Sequence, residues 1–112
     1  MKTIAVYGSL KAGKYNHPIL RECKMLGTTK VKGTLYRVGS YPAIIEEGDN
    51  LYDAEVYEVP DNIYNAVRSM ELGAGYKEVE INVGELGTAV VYYADTALEE
   101  RCKERYEVIS SY

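Results

Sequence analysis

Two places in this chain bring together groups fit for chemistry. The first is GSLKAGKY, Gly8 to Tyr15, which directly follows a short apolar run. It carries the two glycines and the lysine of a phosphate-binding loop, but that pattern needs Ser or Thr after the lysine to bind magnesium, and Tyr15 stands there. Such a loop must also open straight into a helix whose first N–H groups face the phosphates. Here Asn16, His17 and Pro18 intervene, and Pro18 delays any helix. The nucleotide reading fails on both counts. What survives is the overlapping Tyr7-Gly8-Ser9-Leu10, where a strand ends in glycine and successive backbone N–H groups can converge on an anion, a carboxylate as readily as a phosphate. The same residues also read as a tight turn, Gly8 supplying a positive φ and Ser9 a local hydrogen bond.

The second place is Glu71. Counting back by fours meets Val67 and Ile63, so its carboxyl continues the apolar stripe of a helix and points toward the core. An ionised carboxylate does not enter a core uncompensated, and in a last helical turn the helix dipole opposes it further. Both effects raise its pKa toward the range in which a glutamate exchanges protons near neutral pH. The competing reading is a helix that frays at Met70 and releases Glu71 to water. Leu72 to Tyr76, LGAGY, then forms a glycine loop of the kind that lines sites.

The elements that must position these groups follow from periodicity. KTIAVY, Lys2 to Tyr7, reads as a strand buried on both faces, and Pro18 to Leu26 as a short helix stopped by Gly27. Strands are predicted at Val31 to Val38, Tyr41 to Ile45 and Tyr52 to Val59, with Glu46, Glu47, Gly48 and Asp49 as a solvated hairpin turn. Asp61 offers an N-cap for the helix of Ile63, Val67 and Met70. Glu78 to Val83 and Thr88 to Tyr93 are two further strands, and Asp95 to Tyr106 a charged helix with Leu98 and Cys102 as its sparse apolar stripe, whose run Glu99 to Arg105 alternates in sign as an exposed face with i,i+4 pairs. This order lacks the regular β-α alternation of a doubly wound sheet. It points instead to an α+β mixed sheet or small barrel with helices outside it.

Composition narrows the classes. The chain has 112 residues, enough for a single domain spanning 1–112 with one core and no staple. Twelve Tyr with no Phe or Trp make tyrosine the large aromatic, so buried hydroxyls need partners. A net charge of −4 argues against a protein built to hold a phosphate backbone, and no nucleic-acid partner is expected. No stretch approaches the ~20 apolar residues of a membrane span, and the N-terminal apolar run is too short for a signal peptide; a cytoplasmic protein is expected. Cys23 and Cys102 read as separate buried thiols, and the single His17, with no His or Cys beside it, as a loop or pocket-rim residue rather than a metal ligand.

Five segments carry a family resemblance: VYGSL with Asn16-His17, then Gly39-Ser40-Tyr41-Pro42-Ala43, Ala54-Glu55-Val56-Tyr57-Glu58-Val59, the helix ending in Glu71, and Gly75-Tyr76. In this order the chain resembles the γ-glutamylcyclotransferase-like (AIG2-like) family, most closely its short γ-glutamylamine cyclotransferase branch. The resemblance implies a small mixed or antiparallel β-barrel of about six strands with flanking short helices. It further implies that backbone N–H groups of Tyr7, Gly8, Ser9 and Leu10 hold a small γ-glutamyl substrate, that Glu71 is the acid/base, and that Tyr76 lines the pocket. The implied reaction is closure of the substrate's α-amine on its γ-carbonyl, giving 5-oxoproline and a free amine without a cofactor. Two positions depart from the family habit: Arg68 stands where an Asp is frequent three residues before the Glu, and Glu78 where an Arg is frequent two after the Tyr. A rival expectation keeps the fold without the chemistry, as a binding module for a small carboxylate-bearing ligand. The two differ at Glu71, because a carrier tolerates Gln there and an acid/base catalyst does not.

Overall fold

The structure is a computed structural model that describes residues 1–112. Six strands form one mixed sheet: β1 (Lys2–Val6), β2 (Lys24–Val38), β3 (Tyr41–Val59), β4 (Tyr76–Asn82), β5 (Thr88–Ala94) and β6 (Glu107–Val108). Their spatial order is β4-β5-β1-β3-β2-β6, with β1 and β5 parallel and every other pair antiparallel. The sheet curls into a half-barrel, and its edges, β4 and β6, do not pair with each other. Two helices pack against it, α1 (Asp61–Gly73) and α2 (Thr96–Arg105). No helix is long and apolar enough to cross a membrane.

The centre of the sheet is β1, and alternation along it feeds two cores. Ile4 and Val6 pack with Leu20, Tyr57 and Val67 beneath α1, whereas Ala5 and Tyr7 join Val31, Leu35 and Ile44 inside the half-barrel. A third cluster, with Ala43, Ala94, Leu98 and Cys102, seats α2. Asp95 caps α2 by accepting the Leu98 N–H at 2.8 Å, the arrangement that Asp favours at a helix start. In α1 the N-cap is Pro60, one residue before the expected Asp61, which instead takes the N-terminal ammonium at 3.6 Å.

Two other predicted elements differ. The helix expected over Pro18 to Leu26 is only a 3₁₀ turn, His17–Leu20, because Lys24 and Met25 already pair with Glu58 and Tyr57 of β3. Local apolar spacing loses there to long-range ladder formation. The segments expected at Tyr41 to Ile45 and Tyr52 to Val59 are one continuous strand, β3. Its register jumps where Gly33 faces Asn50 and the next residue, Thr34, faces Ile45, so residues 46–49 swing out between those partners. Gly33 makes this possible, since at φ 153° a side chain there would put Cβ 2.1 Å from the Ile45 carbonyl oxygen. The acidic excursion is not merely solvated: Glu46 pairs with Lys77 at 2.5 Å, Asp49 with Lys32 at 3.1 Å, and Glu47 with Lys103.

Candidate functional site

A cavity of about 410 Å³ opens where the end of β1, the last turn of α1, the β2–β3 turn and α2 meet. Tyr7, Gly8, Ser9, Leu10, Glu71 and Tyr76, far apart in sequence, all lie on its wall.

The loop after β1 is held by its carbonyls and leaves its amides free. The Gly8 carbonyl accepts the Lys11 N–H at 3.0 Å, and the Ser9 carbonyl accepts the Asn16 N–H at 2.8 Å. The Leu10 carbonyl takes His17 Nδ1–H at 3.0 Å, while Asn16 Nδ2 donates to Ser9 Oγ at 2.8 Å. No protein acceptor takes the N–H of Gly8, Ser9 or Leu10. Buried or half-buried donors left in this way call for a ligand or water. The positive φ of the tight-turn reading is absent at Gly8; what crowds it is Pro42, whose Cγ would stand 3.0 Å from a Cβ there and would have to yield slightly.

Tyr7 acts from behind this wall. Its ring is buried, and its hydroxyl donates to the Tyr92 carbonyl at 2.5 Å while accepting the Ile44 N–H at 3.1 Å. One side chain thus joins the end of β1 to β5 and β3, and burial drives its pKa well above the ordinary value. Tyr76 is pinned by donating to the Pro42 carbonyl at 2.7 Å, and burial raises its pKa as well.

Glu71 sits where the apolar periodicity places it, four residues after the fully buried Val67 and half-buried on the cavity wall. Its carbonyl accepts the Ala74 N–H at 3.1 Å, but its carboxyl makes no hydrogen bond or ion pair within the protein. Burial alone pushes its carboxyl from 4.5 up to about 7. Glu78 offers the contrast. Burial would raise its pKa too, but donors from Tyr64, Arg68 and Tyr92 more than offset this and hold it below the ordinary value. Arg68 Nε reaches Glu78 Oε1 at 3.0 Å, and Tyr92 reaches Oε2 at 3.0 Å. The two positions that depart from the expected pattern therefore form one ion pair with each other. Glu78 is spent as an acceptor, whereas Glu71 is left available.

Among the wall residues that the sequence reading leaves without a role at the site are Asn16, Tyr92 and Arg101. Asn16 enters the sequence reading only as part of a motif, and Tyr92 only as the end of a strand, yet both line the cavity. Arg101 lies on the exposed helix face expected of it, but the i,i+4 pairs do not form; Lys103 leaves the helix for Glu47, and Arg101 also lines the cavity. Its signal was the spacing of three from buried Leu98, which sets the exposed Arg101 side chain beside Leu98 on the cavity wall.

Known proteins share the sequence pattern and the fold. The family model described as gamma-glutamyl cyclotransferase, AIG2-like, matches residues 4–111. The gamma-L-glutamyl-butirosin B gamma-glutamyl cyclotransferase of Niallia circulans is 30% identical over 115 residues, covering 90% of this chain and 73% of that protein. Protein PH0828 of Pyrococcus horikoshii is 34% identical over 79 residues, 70% of this chain and 67% of its own. Its crystal structure superposes with a TM-score of 0.76 at 30% identity over 86% of this chain and 80% of that one. A mouse AIG2-like protein shares the fold, with a TM-score of 0.76 at 21% identity, covering 100% of this chain and 88% of the other. With a matched family model over nearly its whole length and a cavity that gathers the loop and the glutamate, this chain belongs to the γ-glutamyl cyclotransferase, AIG2-like family.

Proposed function

We propose that the protein converts a small γ-glutamyl amine into 5-oxoproline and the free amine, with Glu71 as the acid/base. One observation carries the reading: an unpartnered carboxyl poised at about 7 shares a cavity with three successive N–H groups that have no acceptor.

The N–H groups of Gly8, Ser9 and Leu10 hold the substrate's α-carboxylate and fold its chain so that the α-nitrogen faces the γ-carbonyl. Such positioning replaces a bimolecular encounter and lowers the barrier by several kcal/mol or more, on the order of the effect known for intramolecular reactions. Ionised Glu71 takes a proton from the α-ammonium, and the freed amine attacks the γ-carbon to form the ring C–N bond. The protonated carboxyl then donates to the departing nitrogen as the original amide C–N bond breaks. Glu71, ionised again, then carries a second proton from the ring nitrogen to the leaving amine, so of the three ammonium protons one stays on the ring and two end on the amine, and atoms and charge balance with no further reactant. A carboxyl poised near neutrality suits both halves, since it gives up and regains a proton at little cost.

The test is 5-oxoproline release from a panel of γ-glutamyl amines by wild type and Glu71→Gln, with folding of the variant checked by its cooperative unfolding. Loss of turnover by about 100-fold or more is expected. Unchanged turnover in a folded variant excludes Glu71 as the acid/base, and binding of the panel without any 5-oxoproline makes the protein a carrier.

A further inference from the structure

The segment Ala54 to Val59 helps carry the family resemblance, yet it lies on β3 and lends no residue to the cavity wall. Alternation along that strand turns Glu55, Tyr57 and Val59 to one face, the face on which Leu10 and Leu20 are buried. Tyr57 and Val59 pack there as the pattern requires. Glu55 is a half-buried carboxylate in the same row, and no cation stands within 4.0 Å of it. It lies opposite Val6, the last residue of β1, where the chain leaves the sheet to form the loop of free amides.

Two donors converge on one oxygen of this carboxylate. Oε1 accepts the Ala12 N–H at 2.8 Å and the Tyr57 hydroxyl at 2.9 Å. The bond to Ala12, two residues beyond Leu10, is the one hydrogen bond that ties residues 8–16 to the sheet; every other bond they make stays within the loop or runs to the 3₁₀ turn that follows it. The bond from Tyr57 fixes the Glu55 side chain in turn, since that ring is buried in the core. The ring centroids of Tyr57 and His17 are 6.0 Å apart, and His17 holds the Leu10 carbonyl. The strand thus reaches the loop twice, at Ala12 through Glu55 and at Leu10 through His17 beside Tyr57. Such anchoring matters because a row of N–H groups receives an anion well only when its shape is set beforehand; every residue left loose adds its ordering entropy to the cost of binding.

We propose that Glu55 is a positioning residue: oriented by Tyr57, it fixes the loop so that the N–H groups of Gly8, Ser9 and Leu10 converge on the substrate's α-carboxylate. This rests on the cyclotransfer reading of the cavity and adds to it a residue that stands outside the cavity wall. A carboxylate suits the task, because an ionised acceptor holds a backbone N–H more strongly than a neutral one does.

The decisive pair of compounds is γ-glutamyl-ethylamide and 4-aminobutanoyl-ethylamide, which differ only by the α-carboxylate. Wild type is expected to favour the first in kcat/KM, and Glu55→Ala to shrink that preference by about tenfold or more, the loss falling on the first compound. Glu55→Gln keeps an acceptor oxygen and should retain most of the preference, with Tyr57→Phe, which keeps the ring and drops the hydroxyl, in between. A preference that Glu55→Ala leaves unchanged overturns the proposal. An equal loss on both compounds overturns it too, for Glu55 would then only support the fold. The loop is also read without turnover: trypsin cutting after Lys11 and Lys14 should quicken by about tenfold in Glu55→Ala and little in Glu55→Gln, and equal cutting in all three proteins likewise overturns the proposal. Should Glu55→Ala fail to unfold cooperatively, Tyr57→Phe decides by the same readouts. If neither compound is turned over, the cyclotransfer reading falls; calorimetric binding of γ-glutamyl-ethylamide that weakens in Glu55→Ala still upholds the anchor, and binding that is absent or does not weaken removes it.

Discussion

Glu71→Gln is expected to make the protein more stable while it removes turnover. The folded carboxyl sits at about 7 against an ordinary 4.5, so the folded chain retains a proton that the unfolded chain releases across that interval. Folding is then opposed progressively as pH rises from about 4.5 to about 7, the reverse of a salt-bridged carboxylate. The difference of roughly 2.5 units corresponds to about 3 kcal/mol above the window and to nothing well below it. Gln has nearly the same shape and no charge, so it escapes this opposition. Urea unfolding of both proteins at about pH 8 should show the variant ahead by about 3 kcal/mol, on the order of 10 °C in Tm. At about pH 4 the two curves should nearly coincide. Equal stability at the higher pH, or a gap that persists undiminished in acid, would refute the claim that an uncompensated buried carboxylate resides at this position.

Three other outcomes follow. The acidic limb of kcat/KM should lie at about 7, with activity falling below it as Glu71 gains the proton that disables it as a base; a limb near 4.5 contradicts the burial argument. Tyr7→Phe strands the Tyr92 carbonyl and the Ile44 N–H together, so thermal unfolding should reveal a loss of about 2 to 3 kcal/mol, and a neutral result would mean that water replaces the hydroxyl. Gly33→Ala drives a Cβ into the Ile45 carbonyl at 2.1 Å and should cost about 3 kcal/mol or more by denaturant titration, whereas tolerance would show that the β3 excursion can re-register.

The parts of this molecule that were legible in the sequence are those governed by local repetition. β4 carries a period of two and α1 and α2 one of 3.6, β1 and β5 are marked by short apolar runs rich in β-branched residues, and the helical period aimed Glu71 inward. What was not legible depended on partners distant in the chain. Leu20, Cys23 and Leu26 are spaced like a helix, yet β3 claims the segment from Lys24 onward. Residues 46–49 looked like a turn because glycine and acidic residues make one, and only the pairing of Gly33 with Asn50 reveals an excursion inside a strand. At the site, Gly8 was marked for the wrong reason, since Pro42 crowds it and no dihedral demands it. Arg101 vanished among the other charges of α2 because sequence cannot say which of several cations will find a carboxylate. Arg68 and Glu78 looked like two independent departures until the fold set them 3.0 Å apart.

The double burial of β1 also bears on how the protein is made. A strand near the start of the chain whose neighbours are β3, paired Lys2 to Val59, and β5, paired Ile4 to Val90, cannot be seated as it leaves the ribosome. Its apolar residues must wait for most of the chain to be synthesised, and loop-closure entropy makes such distant contacts slow to form. The β2–β3 hairpin can assemble early from neighbouring residues, but the loop after β1 gains its place only when β5 arrives. Nascent or truncated chains that stop short of β5 would therefore present an orphan apolar segment to chaperones, and they would lack the cavity altogether.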